Sequence, residues 1–272
     1  YSKEYSNSYS HNISMCLRLI NKKDFASNTV FSVAFTESID TELRNHLYRD
    51  PDQEDLVFAL WRPSSGSKRF TAVIQKIILP ENGDRNQHGN VSFNVQYVRR
   101  VLDIASDKFG VVFIHSHLGP GWQPMSYDDI NAEQNVLASP VAGRTNLPLL
   151  GMTAGTDGSW SARFWLKSKE RKYERVWAKN VRTVGKRLRI TYHPDVIATS
   201  KKNESQVATE SVWGRENQQL IGSIHVGIIG LGSVGSIVAE SLSRIGVSQF
   251  TLIDPERIEI RNLDRTLGAT LD

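Results

Sequence analysis

Two histidines one residue apart end the apolar run Val111-Val112-Phe113-Ile114-His115-Ser116-His117, and Ser126-Tyr127-Asp128-Asp129 follows shortly after. Side chains on a strand alternate faces, so His115 and His117 project to one side, where two imidazoles can reach one ion, and Ser116 points the other way. Leu118-Gly119-Pro120-Gly121-Trp122-Gln123-Pro124 can neither extend a strand nor form a helix, so the chain must turn back. That return carries Ser126 and Asp129 towards the histidines. Helical character begins at Tyr127, with Ser126 as a natural N-cap and Asp129 in the first turn. Two histidines and one carboxylate leave a coordination position for water, the composition of a catalytic rather than a structural zinc site. A bare His-x-His also fits ordinary residues at a strand end; the serine and aspartate three apart weight the pattern towards metal.

A second constellation lies near the end of the chain. His225-Val226-Gly227-Ile228-Ile229 reads as a strand, Gly230, Gly232 and Gly235 as a glycine loop, Ile237 to Ile245 as a helix, and Phe250 to Asp254 as a strand ending in an acid. This is the first βαβ unit of a nucleotide-binding sheet: the glycines admit a phosphate close to the backbone, the helix N-terminus attracts the anion, and Asp254 can bond ribose hydroxyls. Those features alone suggest NAD.

Elements that position the histidine pair can be read around it. Thr29 to Phe35 is a strand, Ser38 to Tyr48 an amphipathic helix with Ser38 or Asp40 near its cap, and Gln53 to Trp61 and Arg69 to Leu79 are apolar strands that should pair antiparallel. Glu81 to Asn90 is a polar loop, Phe93 to Lys108 a helix, and Gly155-Thr156-Asp157-Gly158 turns a hairpin between Pro148 to Ala154 and Trp160 to Leu166. Arg187 to Tyr192 adds a last strand. Mixed strands with flanking helices make an α/β sandwich.

The expected division is a partly disordered leader over 1–28, a metal-binding domain over 29–192, a polar linker over 193–207, and the start of a nucleotide-binding domain over 208–272, which cannot complete a doubly wound sheet alone. The 272 residues hold one cysteine, Cys16, which excludes an internal disulfide and a thiolate zinc cluster. The leader lacks a signal peptide's apolar centre and no stretch reaches a membrane span, so a cytoplasmic protein is expected. The net charge of +4 owes much to Lys167–Arg189. That segment reads as a solvated face or a dock for an acidic partner in preference to a nucleic-acid patch, since no recognition motif accompanies it.

His-x-His, eight residues, then Ser-x-x-Asp resembles the signature of the JAMM/MPN metalloproteases, or JAB domains, over roughly Thr29 to Arg189. The resemblance implies a cytidine-deaminase-like mixed-sheet metallopeptidase with zinc held by His115, His117 and Asp129, and a glutamate as general base. It also implies that Ser126 helps to hold the oxyanion. Glu54, at the start of the apolar strand, matches the place of that base; Glu37 is the rival. Asp254 with Asn262-Leu263-Asp264-Arg265 resembles the ATP site of ThiF/MoeB-like, ubiquitin-activating-type adenylyltransferases. By that resemblance Asp254 binds ribose, while Asn262 and Arg265 contact the phosphates of ATP, with Mg in the complete domain.

The arginine usual early in that family's entry helix has no counterpart among Val207 to Trp213. Arg261 stands where a serine is common. The family's later lysine and metal-binding aspartate would lie beyond Asp272, so adenylation is not expected from these residues alone. Together the two resemblances imply a zinc isopeptidase or processing peptidase acting at the C-terminal glycine of a ubiquitin-like protein, fused to an activating domain, as in bacterial ubiquitin-like systems. A conjugating enzyme is a further implied partner, and a homodimer through the ThiF-like part is expected. The alternatives are a non-catalytic MPN-type scaffold, a JAB-type hydrolase of a small molecule and a dinucleotide-dependent oxidoreductase.

Overall fold

A computed structural model of the chain describes residues 19–88, 90–169, 172–198 and 214–270. The leader and the linker expected from composition fall largely outside these residues. The chain divides into two compact units, Tyr1–His193 and Pro194–Asp272.

The first unit begins with β1 (Val30–Thr36), α1 (Glu37–Leu47), β2 (Leu56–Gly66) and β3 (Arg69–Ile78). A hairpin of β4 (Arg85–His88) and β5 (Asn90–Phe93) leads to α2 (Val95–Ala105) and β6 (Gly110–Ser116). Next come α3 (Tyr127–Ile130), a π-helical stretch Asn131–Leu137, and α4 (Ala138–Thr145). Five strands finish the unit: β7 (Leu149–Ala154), β8 (Trp160–Lys169), β9 (Lys172–Trp177), β10 (Asn180–Val184) and β11 (Leu188–Tyr192). Nine strands form one mixed sheet in the order β11-β10-β1-β3-β2-β6-β7-β8-β9.

The central strands read as unbroken apolar runs because both faces are covered. On β2, Val57, Ala59 and Trp61 join a core with Leu43 and Leu47 of α1, while Leu56, Phe58 and Leu60 pack against Tyr97 and Val101 of α2 and Val141 of α4. The β2–β3 pair is antiparallel, as their shared apolar patterning requires. Ile20 and Phe25, inside the expected leader, pack on the first of these cores.

Three local readings change. The cap of α1 is Thr36, whose hydroxyl accepts the Ile39 N–H at 3.4 Å, and not Ser38 or Asp40. Asp40 is instead buried and accepts the Trp160 indole N–H at 2.7 Å and Arg189 at 2.6 Å, an assignment that depends on strands far away in sequence. The polar loop after β3 contains the β4–β5 hairpin, and the basic segment builds β9 and β10. There, Tyr173 is buried beside exposed Lys172 and Glu174, and Val181 and Thr183 are buried on either side of half-buried Arg182.

The second unit contains α5 (Pro194–Ala198), α6 (Arg215–Ser223), β12 (His225–Ile229), α7 (Ser233–Ile245), β13 (Gln249–Ile253) and a 3-10 turn at Ile260–Asn262. Strands β12 and β13 pair in parallel around the crossover helix α7. Ile229, Val234 and Ile260 are exposed.

Candidate metal centre and glycine loop

Strand β6 ends at the centre of the sheet, between β2 and β7, and sets the site by register. Leu56 lies opposite His115, and the next pair is closed by Ser116 N–H to Asp55 O at 3.0 Å and Asp55 N–H to the Ser116 hydroxyl at 2.9 Å. The same antiparallel register carries Glu54 level with His117, on the face that holds both histidines. On the other side of β6, His115 pairs with Thr153.

The reversing loop is held by Gln123, whose amide donates to the carbonyls of Gly119, Pro120 and Gly121 at 3.0, 2.6 and 3.1 Å. Trp122 packs on Trp177 and His193. The loop delivers a capping box: the Ser126 hydroxyl accepts the Asp129 N–H at 3.1 Å, and the Asp129 carboxylate accepts the Ser126 N–H at 2.7 Å.

The three donor groups converge. His115 Nε2 lies 3.2 Å from His117 Nε2, Asp129 Oδ1 lies 3.1 Å from His115 Nε2, and Asp129 Oδ2 lies 3.4 Å from His117 Nε2. A tetrahedral ion with zinc–nitrogen bonds of about 2.0–2.1 Å has ligand atoms about 3.3 Å apart along each edge. The observed spacing therefore fits a zinc-sized ion, and two imidazoles with one carboxylate is a donor set that zinc accepts. Electrostatics agree. Burial alone would raise the Asp129 carboxyl, but hydrogen bonds from His115 and His117 outweigh it and hold the group well below the usual carboxylate range. Burial would lower His117, yet the hydrogen bond and charge of Asp129, with the charge of Glu54, leave its pKa raised.

Two adjacent acids separate by environment. Asp55 is buried and tied to Arg49 at 2.7 Å, to Arg85 and to the Leu56 N–H at 2.8 Å. Glu54 is half-buried, and among the described residues its carboxylate has no hydrogen bond or ion pair. Of the two, Glu54 is the acid on the histidine face and without such bonds among the described residues. Glu37, the rival, accepts the Lys186 N–H at 3.1 Å where α1 starts at the end of β1, with β3 and β2 between that strand and β6. Sequence reasoning missed Thr153, whose hydroxyl lies 3.3 Å from His115 Nε2, and Tyr48, whose hydroxyl donates to the His117 carbonyl at 3.4 Å. It also missed Arg163 and Glu133. A lone arginine within the apolar run of β8 was the available signal.

In the second unit the three glycines have separate tasks. Gly230 takes φ +85°, which a side chain would strain, and its N–H reaches Ile253 O at 2.8 Å. A Cβ at Gly235 would collide with the Gly230 carbonyl, whereas Gly232 faces open space as the N-cap of α7. Asp254 accepts N–H groups from Leu231 at 2.6 Å and Glu256 at 2.9 Å, and these bonds hold its carboxyl below the usual range. The acid thus braces the glycine loop at its base. Asn262 accepts the Glu259 N–H at 2.8 Å, and Arg265 donates to Arg261 O at 2.7 Å and Asp264 at 2.9 Å. Neither side chain is directed by these bonds to the glycine loop.

Residues 204–272 match the model of the ThiF family. The tRNA threonylcarbamoyladenosine dehydratase of Escherichia coli is 36% identical over 64 residues, 24% of this chain and 24% of its own. That of Bacillus subtilis is 38% identical over 62 residues, 23% and 24% of the two chains. The ubiquitin-like modifier-activating enzyme 5 of Xenopus laevis is 29% identical over 96 residues, 35% of this chain and 24% of its own. The chain thus spans about a quarter of the length of these curated relatives. A solution structure of a Desulfitobacterium hafniense protein aligns with 57% of this chain and 95% of its own at 13% identity and a TM-score of 0.31, too slight a likeness to bear on the fold. Among the described residues no helix is long and apolar enough to cross a membrane.

Proposed function

We propose that the first unit is a zinc-dependent hydrolase of the JAMM/MPN type that cleaves the amide bond following the C-terminal glycine of a ubiquitin-like protein. The second is proposed to begin an ATP-dependent activating domain for the same class of protein. The observation that carries the hydrolase reading is the convergence of His115, His117 and Asp129 beside Glu54. A zinc ion held by those three residues would supply Lewis acidity to water and to the scissile carbonyl.

The chain's own groups do the rest. Glu54 takes the proton of the attacking water as its oxygen bonds to the carbonyl carbon, then gives that proton to the leaving amine nitrogen as the C–N bond breaks. The Ser126 oxygen already accepts the Asp129 N–H, so its own proton is available to an oxyanion. Tyr48 and Gln123 hold the His117 backbone and the reversing loop in place.

The relatives of the second unit are named for two different substrates, a tRNA and a ubiquitin-like modifier. A peptidase-type site earlier in the same chain favours the modifier, because one protein tail would then serve both units. A conjugating enzyme and a homodimer through the second unit belong to the same reading. The test incubates the zinc-loaded protein and its Asp129→Ala variant with a ubiquitin-like protein carrying a C-terminal extension. Release of the extension by the unaltered protein alone is expected; equal cleavage by both overturns the mechanism.

A further inference from the structure

We propose that Glu133, Arg163 and Thr153 are positioning residues for the metal-ligand set, forming a buried brace between the helix that carries Asp129 and the strand that carries His115. The inference rests on the metal-dependent reading above. Glu133 and Arg163 have no exposed side-chain surface. Arg163 grips the Glu133 carboxylate with two donors, Nε to Oε2 at 2.9 Å and Nη2 to Oε1, and the Trp165 indole N–H adds a third bond at 2.6 Å. The remaining arm, Nη1, donates to the Thr153 hydroxyl at 2.5 Å, and that hydroxyl lies 3.3 Å from His115 Nε2.

Register explains why these groups meet. His115 pairs with Thr153 and Phe113 with Gly151 across β6–β7, while Gly151 pairs with Arg163 across β7–β8, so all five share one face. Glu133 follows Asp129 by four positions and descends onto that face. The contacts close a ring: His115 to Asp129, along the helix to Glu133, then through Arg163 and Thr153 back to His115.

Stability does not account for the ring. Apolar residues of similar volume often replace a buried ion pair at no cost. The space is nonetheless built for it: a Cβ at Gly151 would fall within the Glu133 carboxylate, and the helix widens to a π-turn over Asn131–Leu137 where Glu133 leaves it. With its oxygen accepting from Arg163, Thr153 keeps its proton for the ligand cluster; once Nε2 of His115 gives its lone pair to an ion, that proton is left for an oxygen of the ligand shell. His115 Nδ1 is buried without a hydrogen-bond partner among the described residues, so no bond at that nitrogen orients the ring, and the Thr153 hydroxyl against its Nε2 edge is the contact the sheet supplies.

The test uses the full chain as Thr153→Val, Thr153→Ser and the charge-neutral double variant Glu133→Leu with Arg163→Leu. Zinc affinity is read by competition with a chromogenic chelator, ligand geometry from the visible spectrum of the cobalt(II) form, and folding from the melting of the metal-free protein. Thr153→Val and the double variant are expected to bind zinc about ten-fold more weakly with an altered cobalt spectrum, and Thr153→Ser to restore both. A merely structural role would lower melting and leave zinc affinity unchanged, which overturns the proposal, as does wild-type affinity in both weakened variants. Failure of the unaltered protein to bind zinc instead overturns the metal reading itself and is seen before any variant is compared.

Discussion

Glu54 and Asp55 are neighbours of the same chemistry, and their surroundings give them opposite tasks. Three donors fix Asp55 in a structural role, so Asp55→Asn should destabilise the fold by about 1–3 kcal/mol, chiefly by unpairing the largely buried Arg85, read from denaturant unfolding. Glu54 makes no such bonds. Glu54→Gln should keep the fold and the zinc but lose about 10²–10⁴-fold in cleavage rate, measured on the extended ubiquitin-like substrate. Zinc binding without loss of turnover would remove Glu54 from the mechanism. In sequence the choice lay between Glu54, which opens the apolar strand where the resemblance places the base, and Glu37, and did not include Asp55. What sets Glu54 and Asp55 apart is the antiparallel register, in which one residue of shift would exchange their faces.

Two elements carry consequences of their own. Strand β7 passes beneath the helix bearing Asp129, and Gly151 is the only residue size that fits under Glu133. Gly151→Ala should cost about 1–3 kcal/mol through overpacking, visible as a lowered melting temperature. Helix α1 buries His46, whose pKa is pushed down by desolvation although Leu56 O and Asp55 oppose it. The unfolded chain therefore binds a proton near pH 6.5 that the folded chain refuses, so stability is full above that pH and falls as pH drops below it. Melting should hold from pH 8 to about pH 7 and decline from there to pH 5.5, and His46→Gln should flatten that decline. An unchanged slope in the variant would place the pH sensitivity elsewhere.

For the whole molecule, the metal-site residues lie in one compact unit and the glycine loop in the other. Residues 19–193 alone should hold zinc with the affinity of the full chain, measured by the same chelator competition. In the full chain, ATP and not NAD should raise the melting of the second unit if the ThiF-type reading holds; stabilisation by NAD alone would favour a dinucleotide site.

The histidine pair, the serine and aspartate, the glycine loop and its terminal acid were legible because their chemistry depends on spacing within a few residues, where strand alternation, helix capping and turn geometry act locally. The same locality made the apolar strands and the β2–β3 pairing readable. Tertiary structure alone decided that Asp40 serves as an acceptor for Trp160, that the basic segment supplies β9 and β10, and that Glu133, Arg163 and Thr153 surround the ligand set. These depend on which strands become neighbours in the nine-stranded sheet, and such long-range pairings leave no local periodicity to read. The arginine within β8 showed a buried charge awaiting a partner, but the partner stands thirty residues earlier and meets it only when β8 is laid beside β7.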